Sequence, residues 1–259
     1  MMNKWLKFLL PGILVMSAVA QDEAQKFNFN DFADGPIEGQ MEWNVYDMVP
    51  DSSALSIMDV LGTSEEDGDK ALVIQASKTP IRCVIGEPVR WLPGRTLSME
   101  FDFKLAVDPK ELMMPKPVMT VMMGNSLLSE KARWELRLEA SPSGDWVLIG
   151  AMPDGSSKRI YGENFLIRSE KDLSISQWYH FRMTSFKSKD ADSFKTHVEI
   201  TGAESGELVA DIGFTDNNKD KVAQAMWNTS RAHVGFFAGN NQVGLVCVDN
   251  LVVQSMKSE

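Results

Sequence analysis

The chain has 259 residues, with 26 Lys and Arg against 36 Asp and Glu and a formal charge of −10. That field repels phosphate backbones, and no local Lys/Arg cluster reverses it, so nucleic-acid binding and attraction to anionic membranes are not expected. The length is enough for a sizeable core, and sandwich domains of this size are often single.

Residues 1–20 read as a cleavable export signal. Lys4 and Lys7 give a positive start, Phe8 to Val19 is apolar, Ala18-Val19-Ala20 is a small-x-small cleavage site, and Gln21-Asp22-Glu23 is polar. The apolar run is shorter than the roughly 20 residues a spanning helix needs, so no membrane insertion is expected after cleavage. Cleavage removes two lysines and no acid; 24 basic residues then face 36 acidic ones, a net charge of −12. The expected location is secreted or periplasmic, with residues 21–259 as one domain.

The rest of the chain has strand period rather than helical period. In Thr96–Val107, Leu97, Met99, Phe101, Phe103 and Leu105 alternate with Ser98, Glu100, Asp102 and Lys104. Ala132–Ala140 alternates Trp134, Leu136 and Leu138 with Arg133, Glu135, Arg137 and Glu139. Gln177–Lys187 alternates Tyr179, Phe181 and Met183 with His180, Arg182 and Thr184. Further strands are expected at Met41–Asp47, Leu55–Val60, Ala71–Ala76, Ile81–Ile85, Val118–Met123, Trp146–Ala151, Thr196–Thr201, Glu207–Ile212, His233–Ala238 and Gly244–Gln254. Asp67-Gly68, Ser143-Gly144-Asp145, Asp154-Gly155 and Gly239-Asn240-Asn241 supply turns between them. A short helix is expected at Lys219–Trp227, and no linker divides the chain. So many short strands at regular spacing predict an all-β fold, a two-sheet sandwich or a barrel.

Several of these segments resemble one known group. Phe29-Asn30-Asp31-Phe32-Ala33-Asp34-Gly35 opens the series, and Trp43 to Val45 follows. Leu97 to Leu105, Ser176-Gln177-Trp178-Tyr179-His180-Phe181-Arg182, and Val234-Gly235-Phe236-Phe237 to Val248-Asp249-Asn250-Leu251-Val252-Val253 complete it. The pattern resembles the concanavalin A-like lectin/glucanase superfamily in its laminin-G-like branch, over nearly all of residues 27–254. The resemblance implies an antiparallel two-sheet jelly-roll β-sandwich. Its motifs are strand patterns and not catalytic signatures, so they speak for the fold more than for an activity.

The resemblance also implies two kinds of site. Members often hold a structural Ca²⁺ where first and last strands meet; the matching positions are Asp31, Asp34, Gly35 and Asp249. Ca²⁺ takes six to eight oxygens from carboxylates, carbonyls and water. The glucanases use Glu-x-Asp-x-Glu on one strand, and the nearest match is Glu135-Leu136-Arg137-Leu138-Glu139. Arg137 stands where the central Asp would be. It holds both glutamates ionised, which spoils a general acid, and the match reads as a solvated ladder.

Other candidates rest on residue chemistry. Sugars pack on aromatic faces and hydrogen-bond through their hydroxyls. Trp91, in a loop beside Pro88, Pro93 and Gly94, is expected to expose its ring, with Trp227 next and His180 and Arg182 as polar partners. His180, His197 and His233 lie on separate strands without metal-ligand spacing, and no Gly-x-Ser-x-Gly elbow is present. The cluster Met113, Met114, Met119, Met122 and Met123 reads as core filling. Cys83 and Cys247 form either one disulfide or two buried thiols. The leading expectation is a non-catalytic exported module that binds carbohydrate or an extracellular protein. The alternatives are a glycoside hydrolase or polysaccharide lyase of the same superfamily, and a structural or adhesive domain.

Overall fold

The computed structural model describes residues 23–41, 43–47, 54–59, 70–77, 81–85, 87–106, 111–124, 133–143, 146–153, 159–167, 173, 177–189, 193–217, 230–239 and 242–257. The export signal expected at residues 1–20, the helix expected at Lys219–Trp227 and the Trp227 ring lie outside them.

In chain order the strands are β1 (Glu23–Phe27), β2 (Gly35–Pro36), β3 (Trp43–Asp47), β4 (Leu55–Asp59), β5 (Lys70–Gln75), β6 (Ile81–Ile85), β7 (Val89–Arg90), β8 (Arg95–Ala106) and β9 (Lys116–Gly124). They continue as β10 (Arg133–Ala140), β11 (Trp146–Pro153), β12 (Arg159–Ile167), β13 (Trp178–Lys187), β14 (Ser193–Gly202), β15 (Leu208–Asn217), β16 (Arg231–Ala238) and β17 (Leu245–Lys257). One 3₁₀ turn, Phe29–Asp31, follows β1. No helix among the described residues is long and apolar enough to cross a membrane.

Among the described residues the strands make two sheets, paired antiparallel throughout. The nine-stranded sheet runs β15-β14-β13-β8-β17-β5-β4-β2, with β1 also on β17. The eight-stranded sheet runs β12-β11-β10-β9-β16-β6-β3, with β7 on β16. This is the two-sheet antiparallel sandwich that the resemblance implies, and the first of the two architectures, sandwich or barrel, that the strand spacing predicts.

The core lies between the sheets and follows the alternation. Leu97, Met99, Phe101, Phe103 and Leu105 of β8 are buried, as are Tyr179, Phe181 and Met183 of β13 and Val246 and Val248 of β17. The other sheet contributes Val121 and Met123, Leu136 and Leu138, and Val234 and Phe236. Phe101 is central: its ring stacks on Phe181 at 4.7 Å between centroids and meets Phe236 edge-on at 5.4 Å. Each such contact adds about 0.5–1.5 kcal/mol beyond area burial.

The β14–β15 hairpin turns on Gly206, whose φ of +66° favours glycine, and its N–H donates to Gly202 O at 2.8 Å. At one end of the sandwich, the turn between β7 and β8 folds inward. Gly94 N–H donates to Lys187 O at 2.7 Å and tucks Trp91 under the sheets. The strand order puts β13, β8 and β17 side by side at the middle of the larger sheet. The alternate residues of these strands therefore share one outward face.

Candidate functional site

That outward face carries a polar array. The register aligns His180 with Asp102, and Arg182 with Glu100, across β13 and β8. Asp249 of β17 lies opposite Asp102 on the other side. Between Asp249 and Val252 the β17 register shifts, and Asn250 there has φ +51°. This bulge inserts a residue and turns its side chain out of the strand's alternation. Asn is one of the few side chains that tolerate the left-handed region.

The side chains hold one another. His180 Nδ1 lies 2.8 Å from Asp102 Oδ1. A carboxylate only accepts, so Nδ1 carries the proton. Asp102 Oδ2 accepts from Asn250 Nδ2 at 2.9 Å, so one carboxylate grips residues of two flanking strands. Glu100 Oε1 accepts from Ser98 Oγ at 2.9 Å and pairs with Arg182 Nε at 3.3 Å, while Glu100 Oε2 lies 3.9 Å from His180 Nε2. The hydrogen bond to Asp102 raises the His180 pKa above its usual 6.5. The charges of Asp102 and Glu100 add to the rise, against burial and the Arg182 charge. Side-chain exposures of 37% for His180 and 48% for Arg182 leave both within reach of a ligand. Beside the array, Lys104 Nζ sits 5.9 Å from the centroid of the Trp178 ring.

His180 and Arg182 thus stand together, as the polar face of their strand predicts. Trp91 does not join them. Its ring is completely buried, Nε1 donates to Ser185 O at 3.3 Å, and Lys187 Nζ lies 5.1 Å from its centroid. The expectation of an exposed Trp91 platform is corrected: the Pro and Gly of its loop fold the ring over the end of the core.

The positions matched to calcium do not converge on a cation. Asp34 Oδ1 pairs with Lys70 Nζ at 3.0 Å, and the same ammonium donates to Phe32 O at 3.0 Å. Asp31 is exposed on the 3₁₀ turn, and Gly35 begins the edge strand β2. Asp249 is buried, with Oδ1 accepting from Asn250 N at 2.7 Å. Among the described residues no three His, Cys, Asp or Glu side chains are grouped to hold a metal. The donor set around Asp34 is filled by an ammonium and does not suit Ca²⁺.

On β10, Arg137 is buried and its Nη2 lies 3.9 Å from Glu139 Oε1; the Glu135 side chain is outside the described residues. His197 Nε2 pairs with Asp211 Oδ1 at 2.5 Å on neighbouring strands. Burial lowers the His233 pKa, against a hydrogen bond with the Ile85 backbone that raises it. Cys247 keeps a free, buried thiol whose pKa burial pushes up to about 11, which disfavours the thiolate. The Cys83 side chain lies outside the described residues.

No family model and no curated protein matches the chain. Solved structures do. The basic winged bean lectin crystallised with Tn-antigen superposes with a TM-score of 0.52 at 11% identity, over 90% of this chain and 99% of that one. An endo-1,3-β-glucanase from Streptomyces sioyaensis gives a TM-score of 0.54 at 13% identity, over 91% and 97%. The fold is the concanavalin A-like jelly roll. A protein of unknown function from Shewanella oneidensis MR-1 has a similar architecture, with a TM-score of 0.52 at 18% identity over 92% and 87%. The concanavalin A-like fold is therefore found both in a lectin and in a glucanase, and the likeness is one of architecture.

Sequence reasoning missed Asn250 and Lys70 as organising residues. The dipeptide Asp249-Asn250 inside an apolar run is a legible bulge signal. Lys70 has no such signal, because its contacts lie almost 40 residues earlier.

Proposed function

We propose that this chain is an exported binding module, secreted or periplasmic, that takes carbohydrate on the outward face of its nine-stranded sheet. The observation that carries this reading is the array of Glu100, Asp102, His180, Arg182 and Asn250, each side chain fixed by another. Sugar hydroxyls both donate and accept. The array offers donors from Arg182 and Asn250, acceptors from the two carboxylates, and a His180 Nε2 that accepts when neutral and donates when protonated. Because these side chains already hold one another, less rotamer freedom is lost on binding. The charge pattern of residues 1–20 supports export. The concanavalin A-like fold suits such a module.

A glycan array probed with purified protein, with and without added Ca²⁺, tests the reading. Binding should appear in both conditions and fall about 10-fold or more in Arg182→Ala and in His180→Ala, as expected for a lost hydrogen bond to a charged group. The proposal is refuted by an empty array, or by binding that neither substitution weakens.

A further inference from the structure

The segment that follows β1 leaves the sheet and returns to it at β2, gathering oxygens on the way. Its first residues are anchored by β1, which pairs with the late part of β17 so that Phe27 stands opposite Leu251. Many of the gathered oxygens have an internal donor. Asn28 Oδ1 accepts from Asn30 N at 3.0 Å. Asn30 Oδ1 accepts from Lys70 N at 2.5 Å. Gln40 Nε2 donates to Ala33 O at 3.0 Å and to Pro36 O at 2.7 Å, and its Oε1 accepts from Ala33 N at 2.8 Å. At the centre, Lys70 Nζ reaches both Phe32 O and Asp34 Oδ1, each at 3.0 Å.

These are the kinds of ligand a calcium ion collects: a backbone carbonyl, a carboxylate and side-chain amide oxygens. Here the covalently attached Lys70 ammonium has the carbonyl and the carboxylate, and backbone N–H groups have the side-chain amide oxygens. Lys70 begins β5, directly beside β4 and in the same sheet as β17, so its ammonium ties the first segment to a central strand. The Lys70 side chain is 23% exposed against 66% for Asp34, so the cation is the sheltered partner. A lysine is always present at one per chain, and no chelator or dilution removes it.

We infer that the Lys70 ammonium takes the place of a divalent cation in this chain, fastening residues 32–34 to the nine-stranded sheet and making that joint independent of metal. The inference does not depend on what the outward face binds.

The test is thermal unfolding of the purified protein in excess CaCl₂ and in EDTA, for the natural sequence, Lys70→Met and Asp34→Asn, with limited proteolysis alongside. The natural protein should melt at the same midpoint in both buffers. Lys70→Met, which keeps the apolar stem, should melt about 2–4 °C lower in both, the shift that loss of one modest polar cluster gives in a chain of this size. It should also be cleaved within residues 28–40 faster than the natural protein. Two results overturn the inference: a Ca²⁺-dependent rise in the natural midpoint that Asp34→Asn abolishes, or a Lys70→Met protein that melts and resists cleavage like the natural one. Should Lys70→Met fail to fold, the Ca²⁺ comparison of the natural protein with Asp34→Asn still decides.

Discussion

Strands β8 and β13 carry cations on both of their faces, and the two faces treat them in opposite ways. On the outward face His180 and Arg182 are part-exposed and sit against Asp102 and Glu100. On the inward face, at the end of the same strands, Arg95 and Lys187 are buried. Arg95 Nε donates to Ser255 Oγ at 2.8 Å and Nη2 to Ser255 O at 2.6 Å, while Lys187 Nζ donates to Trp91 O at 3.4 Å and lies over the Trp91 ring. The carboxylate outside raises the His180 pKa; burial inside lowers that of Lys187 to about 8. The presence of a carboxylate partner, more than residue type, decides the sign: a nearby carboxylate favours the charged form, and loss of hydration without one opposes it. One face keeps its cations part-exposed, and the other closes the core.

The hardest way to break this contrast is to open the buried end. Trp91→Ala should cost about 3–5 kcal/mol, the range for large aromatic truncations in a core, read from urea unfolding. It should also return the Lys187 pKa toward its usual value, because the ring that dries it is gone. A loss below about 1 kcal/mol would show that Trp91 is not the lid of the core.

The second prediction uses pH. Lys187 binds its proton less tightly folded than unfolded, so between about 8 and the usual lysine value near 10.5 the unfolded chain carries more protons. Unfolding free energy should therefore gain a positive contribution as pH rises through that window, and none from this group below it. Lys187→Met should remove that contribution, which a urea series at closely spaced pH values can resolve. An unchanged alkaline profile in Lys187→Met would refute the burial assignment.

The smallest effect is expected outside. His180 binds its proton more tightly folded than unfolded, so its contribution is fully present below pH 6.5 and is lost as pH rises through its higher folded value. Asp102→Asn should cost about 0.2–1 kcal/mol at pH 5.5, in the range of exposed ion pairs, and less at pH 8. It should also bring the His180 titration, followed by NMR, back toward 6.5. A His180 titration unmoved by Asp102→Asn would separate the two residues and dissolve the array.

These contrasts also mark how far the sequence can be read. The runs with strict alternation are strands nearly to the residue: Thr96–Val107 is β8 at Arg95–Ala106, and Gln177–Lys187 is β13 at Trp178–Lys187. Hydrophobic period alone locates such strands, because a slip of one residue would invert every side chain. β1, Glu-Ala-Gln-Lys-Phe, has no such period; it exists because β17 offers it an edge. β12 at Arg159–Ile167 carries Gly162 and the charged Arg159 and Glu163, and it is not legible as a strand for the same reason. Within the candidate site, His180 and Arg182 are legible as the polar half of an alternation. Trp91 is not, because loop composition suggests exposure whereas tertiary contacts draw the ring inward. Asp34 and Asp249 match by pattern, yet the Lys70 contacts that define Asp34's role join residues distant in sequence, where no local rule reaches.

The placement of β17 has a consequence in time as well as in space. It lies between β8 and β5 in the larger sheet, and its partners on β8 are about 150 residues earlier in the chain. Until β17 is inserted, β15-β14-β13-β8 and β5-β4-β2 are two ribbons, each with an unsatisfied edge. Closing the sheet joins segments separated by a long loop, so folding should be slow. During that delay the β8 and β5 edges are open to mispairing, and whatever shields them in the cell determines how much of the protein reaches its folded form.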